Sequence, residues 1–95
     1  MEPRAFKTAA YEQVARVGKA LSSPTRLELL DLLAQGPKSV EVLARECGQT
    51  VANTSQHLQT LRSARLVEVD RQGVQMIYRL ADPTVEAMAV ALRTV

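Results

Sequence analysis

Apolar side chains recur at helical spacing through most of the chain, switch to alternation near residue 67, and return to helical spacing at the end. Phe6, Ala10, Val14, Val17 and Leu21 stand three or four residues apart, which predicts an amphipathic helix over 6–21. Ser23-Pro24 supplies an N-cap followed by proline at the first helical position, where its missing N–H is not needed. The segment it opens, TRLELLDLLAQG, carries leucine at 27, 29, 30, 32 and 33, so that most of the circumference is apolar. That distribution predicts a central, buried helix. Gly36-Pro37 ends it, glycine at a left-handed cap and proline blocking continuation.

Ser39 can cap a short third helix, VEVLAREC, with Val40, Leu43, Ala44 and Cys47 on its inner side. Gly48 breaks that helix, and Thr50 can cap a fourth over 50–64 with Val51, Thr54, Leu58 and Leu61 as its inward stripe. The period then becomes two. Val67 and Val69 face one way and Glu68 and Asp70 the other; after a Gln72-Gly73 turn, Met76, Tyr78 and Leu80 alternate with Ile77 and Arg79. The segment 66–80 is therefore a β-hairpin, glycine supplying the positive φ of its turn. Asp82-Pro83 repeats the Ser-Pro device and opens a last helix over 83–94 with Val85, Met88, Ala89 and Leu92 along one face.

The expected fold class is mainly α with a small β-hairpin: about five helices and a two-stranded antiparallel wing in a winged helix-turn-helix. Its 95 residues suit one domain, 1–95. The apolar fraction of 46% argues for a packed core, and the 3% aromatic content requires that core to be Leu, Val and Ala. No apolar run approaches the ~20 residues of a membrane span. MEPRAFKTAA lacks a signal-peptide segment, and a single cysteine excludes an intrachain disulfide, so a reducing, cytoplasmic location is expected. Net charge is only +2, which permits nucleic-acid binding without demonstrating it. What matters is where the polar and basic groups fall.

Two short helices joined at Gly48-Gln49-Thr50 and followed by a hairpin give the order helix, turn, helix, wing. With Leu58 and Leu61 inward, the opposite face of the fourth helix shows Ala52, Ser55, Gln56 and Gln59, flanked by Asn53. This surface is small, polar and uncharged, and fits a major groove: Gln pairs with adenine N6/N7, Ser donates or accepts, and Ala touches a thymine methyl. Thr50, Val51 and the first-turn N–H groups lie where a phosphate is held. Arg62 and Arg65 follow at the helix end, and Arg71 and Gln72 sit at the wing tip, placed for phosphates or the minor groove. The DNA-binding candidates are thus Thr50, Val51, Ala52, Asn53, Ser55, Gln56, Gln59, Arg62, Arg71 and Gln72. A Gly-rich phosphate loop, paired carboxylates and a metal cluster are all missing from the sequence pattern, so no enzyme is expected.

From Gly18 to Leu80 the chain resembles the ArsR/SmtB family of bacterial repressors. The resemblance rests on Ser-Pro-Thr-Arg-Leu (23–27), on Ser55, His57, Leu58 and Leu61 of the recognition helix, and on Arg71, Gly73, Tyr78, Arg79 and Leu80 of the wing. VANTSQHLQ is particularly similar to members with a C-terminal rhodanese domain; with the chain ending at Val95, no such domain is expected here. The resemblance implies a cytoplasmic homodimer built on helices 6–21 and 83–94. It implies repression at inverted-repeat operators in double-stranded promoter DNA, with Ala52, Ser55 and Gln56 facing base edges.

Many members of the family release DNA when they bind metal. The positions matching one familiar two-cysteine site are Ser39 and Glu41; at another, Asp82 is present but Thr84 stands in place of histidine. One cysteine and one histidine cannot make a four-coordinate site within a protomer, so neither a metal nor any other cofactor is expected. Cys47 occupies a normally apolar position; a core role is preferred over a thiol sensor, which needs exposure and a low pKa. For His57 a structural or phosphate-contacting role is expected rather than catalysis.

Overall fold

A computed structural model gives the architecture, and the structure describes residues 2–95. Five helices and three strands follow one another as α1 (Pro3–Ala20), α2 (Pro24–Ala34), β1 (Lys38–Ser39), α3 (Val40–Cys47), α4 (Val51–Ser63), β2 (Val67–Gln72), β3 (Gln75–Leu80) and α5 (Pro83–Thr94). The caps are made by the residues that the sequence offers for them. Ser23 Oγ accepts from Arg26 N, Ser39 Oγ from Val42 N, Thr50 Oγ1 from Asn53 N, and Asp82 Oδ1 from both Thr84 N and Val85 N. Each satisfies first-turn donors that the helix itself leaves free.

α2 is the hub. Leu29, Leu30 and Leu33 are buried in one core with Leu43 of α3, Leu58 and Leu61 of α4, Val67 and Tyr78 of the sheet, and Val85 and Ala89 of α5. The all-round leucine pattern is only partly consumed, because Leu27 remains exposed. It lines a groove of about 110 Å³ with Leu30, Ala89 and Leu92, closed at one side by Asp31 and Arg93.

The sheet is larger than the predicted hairpin. β1 adds a third strand in the order β1-β3-β2, pairing Lys38 with Tyr78 and Ser39 with Ile77. Two residues carry no readable alternation, which is why the sequence does not announce this strand. The hairpin turn also sits one residue later than expected. Gln72 pairs with Gln75, so the two-residue loop is Gly73-Val74. Gly73 takes φ 64° while Val74 stays at negative φ, the pattern of a II′ turn that follows the right-handed strand twist.

α1 stands away from this body. Only Ala20 is buried, with Val17 and Leu21 packed against the core, while Phe6, Tyr11 and Val14 are 65%, 70% and 65% exposed. The radius of gyration, 14.4 Å, exceeds the ~12.4 Å expected of a compact chain of this length. An apolar helix face therefore projects into solvent in the protomer.

Candidate nucleic-acid interface

The turn between α3 and α4 depends on one glycine. Gly48 takes the left-handed conformation at φ 66°, and the N–H groups of Gly48 and Gln49 close on the carbonyls of Arg45 and Ala44. Thr50 then starts α4 in a new direction. On α4 the residues Thr54, Leu58 and Leu61 are fully buried. Thr54 fits there because its hydroxyl donates back to Thr50 O at 2.8 Å, leaving its methyl for the core.

The opposite side of α4 is open. Ala52, Asn53, Gln56, Gln59 and Arg62 are exposed, and Ser55 is half-buried at the edge of the face. Val51 departs from its predicted place in the inward stripe: it is 45% exposed. It shares a helical face with Leu58 but stands two turns earlier, at the exposed start of α4 between Thr50 and Ala52. Thr50, also exposed, is occupied as the cap. Gln59 is not free either, since its amide Nε2 donates to Tyr78 Oη at 3.4 Å and so links the helix to β3.

α4 ends on a second left-handed residue, here not glycine. Arg65 has φ 63°, and the N–H groups of Arg65 and Leu66 return to the carbonyls of Arg62 and Leu61. This Schellman closure turns the chain sharply into β2. From Val67 the strand carries Arg71 and Gln72 away from α4 by about 13–17 Å at ~3.3 Å per residue. The whole tip, residues 71–76, is exposed, and Arg71 Nε donates to Gly73 O across the turn at 3.2 Å. The structure thus brings Ala52, Ser55 and Gln56 onto one helix face and sets Arg71 and Gln72 apart on a separate arm.

Charge on the wing is balanced internally. Arg79 lies opposite Glu68 in the β2–β3 register and pairs through Nη2 with Glu68 Oε2 at 3.4 Å and through Nη1 with Asp70 Oδ2. Both wing carboxylates are taken up, and among the described residues Arg71 is in no ion pair. In the sequence Arg79 stands only within the wing motif; its directly opposite and diagonal cross-strand neighbours, Glu68 and Asp70, are the signal of its pairing role.

Cys47 is half-buried at the end of α3. Burial, then the Glu28 carboxylate that also bonds the thiol, then Glu46, push its pKa from 9.0 up to about 11. That environment is the opposite of a reactive thiolate's. His57 turns toward the protein: its Nδ1 meets Arg26 Nη1 at 3.1 Å. Among the described residues, no three His, Cys, Asp or Glu side chains gather closely enough to hold a metal ion. None of the described helices is long and apolar enough to cross a membrane.

A leucine-rich hub helix, two short helices about a glycine turn and a β-hairpin define a winged helix-turn-helix. A family model described as a helix-turn-helix domain matches residues 21–70, and the chain belongs to this helix-turn-helix family. It is 44% identical over 89 residues to the HTH-type transcriptional regulator Rv0324 of Mycobacterium tuberculosis, covering 94% of this chain and 39% of that protein. The chain thus spans well under half the length of that relative. The homodimeric winged helix-turn-helix DNA-binding domain of Mb0332 from Mycobacterium bovis, a "possible ArsR-family transcriptional regulator", superposes with a TM-score of 0.91 at 41% identity, covering 99% of this chain and 85% of that one. The transcriptional repressor BigR from Xylella fastidiosa superposes with a TM-score of 0.80 at 35% identity, over 99% of this chain and 95% of that one.

Proposed function

We propose that this chain is a single DNA-binding and dimerisation unit, a homodimeric ArsR-type repressor that acts in the cytoplasm by occupying promoter DNA and not by catalysis. The observation that carries this reading is the division of α4: Thr54, Leu58 and Leu61 fill the core while Ala52 and Gln56 stand free beside Ser55. An exposed helix face without charge, on a rigid element, suits base edges in a major groove. Val51, Asn53 and Arg62 flank it, and Arg71 and Gln72 reach the adjoining backbone.

The exposed α1 face and the half-open α5 face supply the dimer contact, as the homodimeric relative supports. A two-fold dimer sets two copies of α4 into successive major grooves ~34–36 Å apart. Repression is supported by the likeness to BigR. VANTSQHLQ supports a reading of the chain as akin to the DNA-binding domain of rhodanese-fused members.

Selection of bound duplexes from a random-sequence pool tests the reading. An inverted repeat is expected, and Gln56→Ala should cost about 1–3 kcal/mol at one base-pair position of each half-site. Equal loss on every sequence, or no selected duplex at all, refutes it.

A further inference from the structure

We infer that Arg26 and His57 form a strut that fixes the direction of α4 relative to α1, and that both are positioning residues for DNA recognition. The inference rests on the DNA-binding reading above and adds residues outside its contact surface.

Arg26 comes from the first turn of α2, where its backbone N–H is held by the Ser23 cap at 3.2 Å. Its guanidinium is divided among two other helices. Nε donates to Ala20 O at 2.7 Å and Nη2 to Lys19 O at 3.3 Å, both in the last turn of α1. Nη1 meets His57 Nδ1 of α4 at 3.1 Å. A guanidinium only donates, so His57 Nδ1 is the acceptor and its ring carries hydrogen on Nε2. The helix C-terminus also favours the cation, because its carbonyls lack intrahelical partners. One side chain thus joins α1, α2 and α4, with every bond to a rigid element.

The strut matters because of lever length. α1 has 18 residues, about 27 Å at 1.5 Å per residue, and packs on the body only through its last turn. With α1 in the dimer contact, 5° of play at that turn displaces a point at its far end by roughly 2 Å. Bidentate base contacts do not tolerate such an error. Arg26 ties the carbonyls at this pivot to the middle of the recognition helix, which sets the separation of the two α4 helices.

The test uses the full 95-residue chain and the duplex that the wild type selects from a random pool. Affinity is measured at the selected half-site spacing and at spacings changed by one and two base pairs. His57→Phe keeps a ring and removes the acceptor; Arg26→Met removes the donor. Both should lower affinity at the selected spacing by about tenfold or more while flattening the dependence on spacing. Dimer dissociation should stay unchanged. His57→Asn, whose amide oxygen can stand near the Nδ1 position, should restore the wild-type profile. Variants that bind with the wild-type spacing profile overturn the strut while leaving DNA binding intact. Failure of the wild type to select any duplex overturns the DNA reading and, with it, the role given to the strut. The imidazole ¹⁵N signals of the wild type give a check that needs no variant: they should report hydrogen on Nε2, and hydrogen on Nδ1 refutes the geometry.

Discussion

Replacing Val14 by serine isolates the α1 contribution to dimerisation. Val14 is 65% exposed in the protomer, so most of its surface remains for a partner to cover. Complete burial of such a side chain is worth about 1.5–3 kcal/mol, which scales here to about 1–2 kcal/mol per site. A two-fold interface contains the residue twice, giving about 2–4 kcal/mol per dimer. The dimer Kd should therefore rise roughly 30- to 1,000-fold. Valine and serine have similar helix propensities, so α1 itself should keep its helicity. Nor does Val14 belong to the core, and the midpoint of monomer unfolding should hardly move. Sedimentation equilibrium over a concentration series reads the Kd, and far-ultraviolet circular dichroism checks the helix. A Kd within threefold of the wild type, with helicity intact, would show that this face of α1 does not meet a second copy.

Arg79→Met strips the counter-charge from Glu68 and Asp70 on the wing. These pairs are solvent-exposed, so stability should change by less than about 1 kcal/mol, while DNA affinity at low salt falls several-fold on all sequences; unchanged affinity refutes the neutralising role. Arg65→Gly removes the left-handed penalty at φ 63°. Against a cost of about 1–2 kcal/mol for an L-residue there, glycine's freer unfolded chain leaves a net gain of about 0.5–1 kcal/mol in urea unfolding; a loss would mean that the arginine side chain holds the turn. Cys47, with its pKa at about 11, should alkylate far more slowly at pH 8 than an exposed cysteine, and its rate should climb through pH 11. Because the folded state disfavours the thiolate, the associated stability is present below pH 9.0 and disappears as the pH rises towards 11, a dependence that Cys47→Ser should abolish.

Most of the architecture was determined locally, and so was legible in one dimension. The caps at Ser23, Ser39, Thr50 and Asp82 act within three residues, and the change from period 3.6 to period 2 at Val67 is a property of the chain alone. The polar face at Ala52 and Gln56 followed from the same helical phase that buries Leu58 and Leu61. Tertiary structure decided what depends on where a neighbour ends. Helical phase placed Val51 inward, yet burial on this face of α4 begins only at Thr54. β1 exists because β3 offers an edge, and its two residues hold no pattern of their own. The Gly73-Val74 turn was set by pairing along the full hairpin, which moved it one residue beyond the predicted position. Arg26 and His57 lie 31 residues apart, and no periodicity relates them. Periodicity and capping are short-range properties, whereas burial, strand pairing and a shared guanidinium require two distant segments to meet in space.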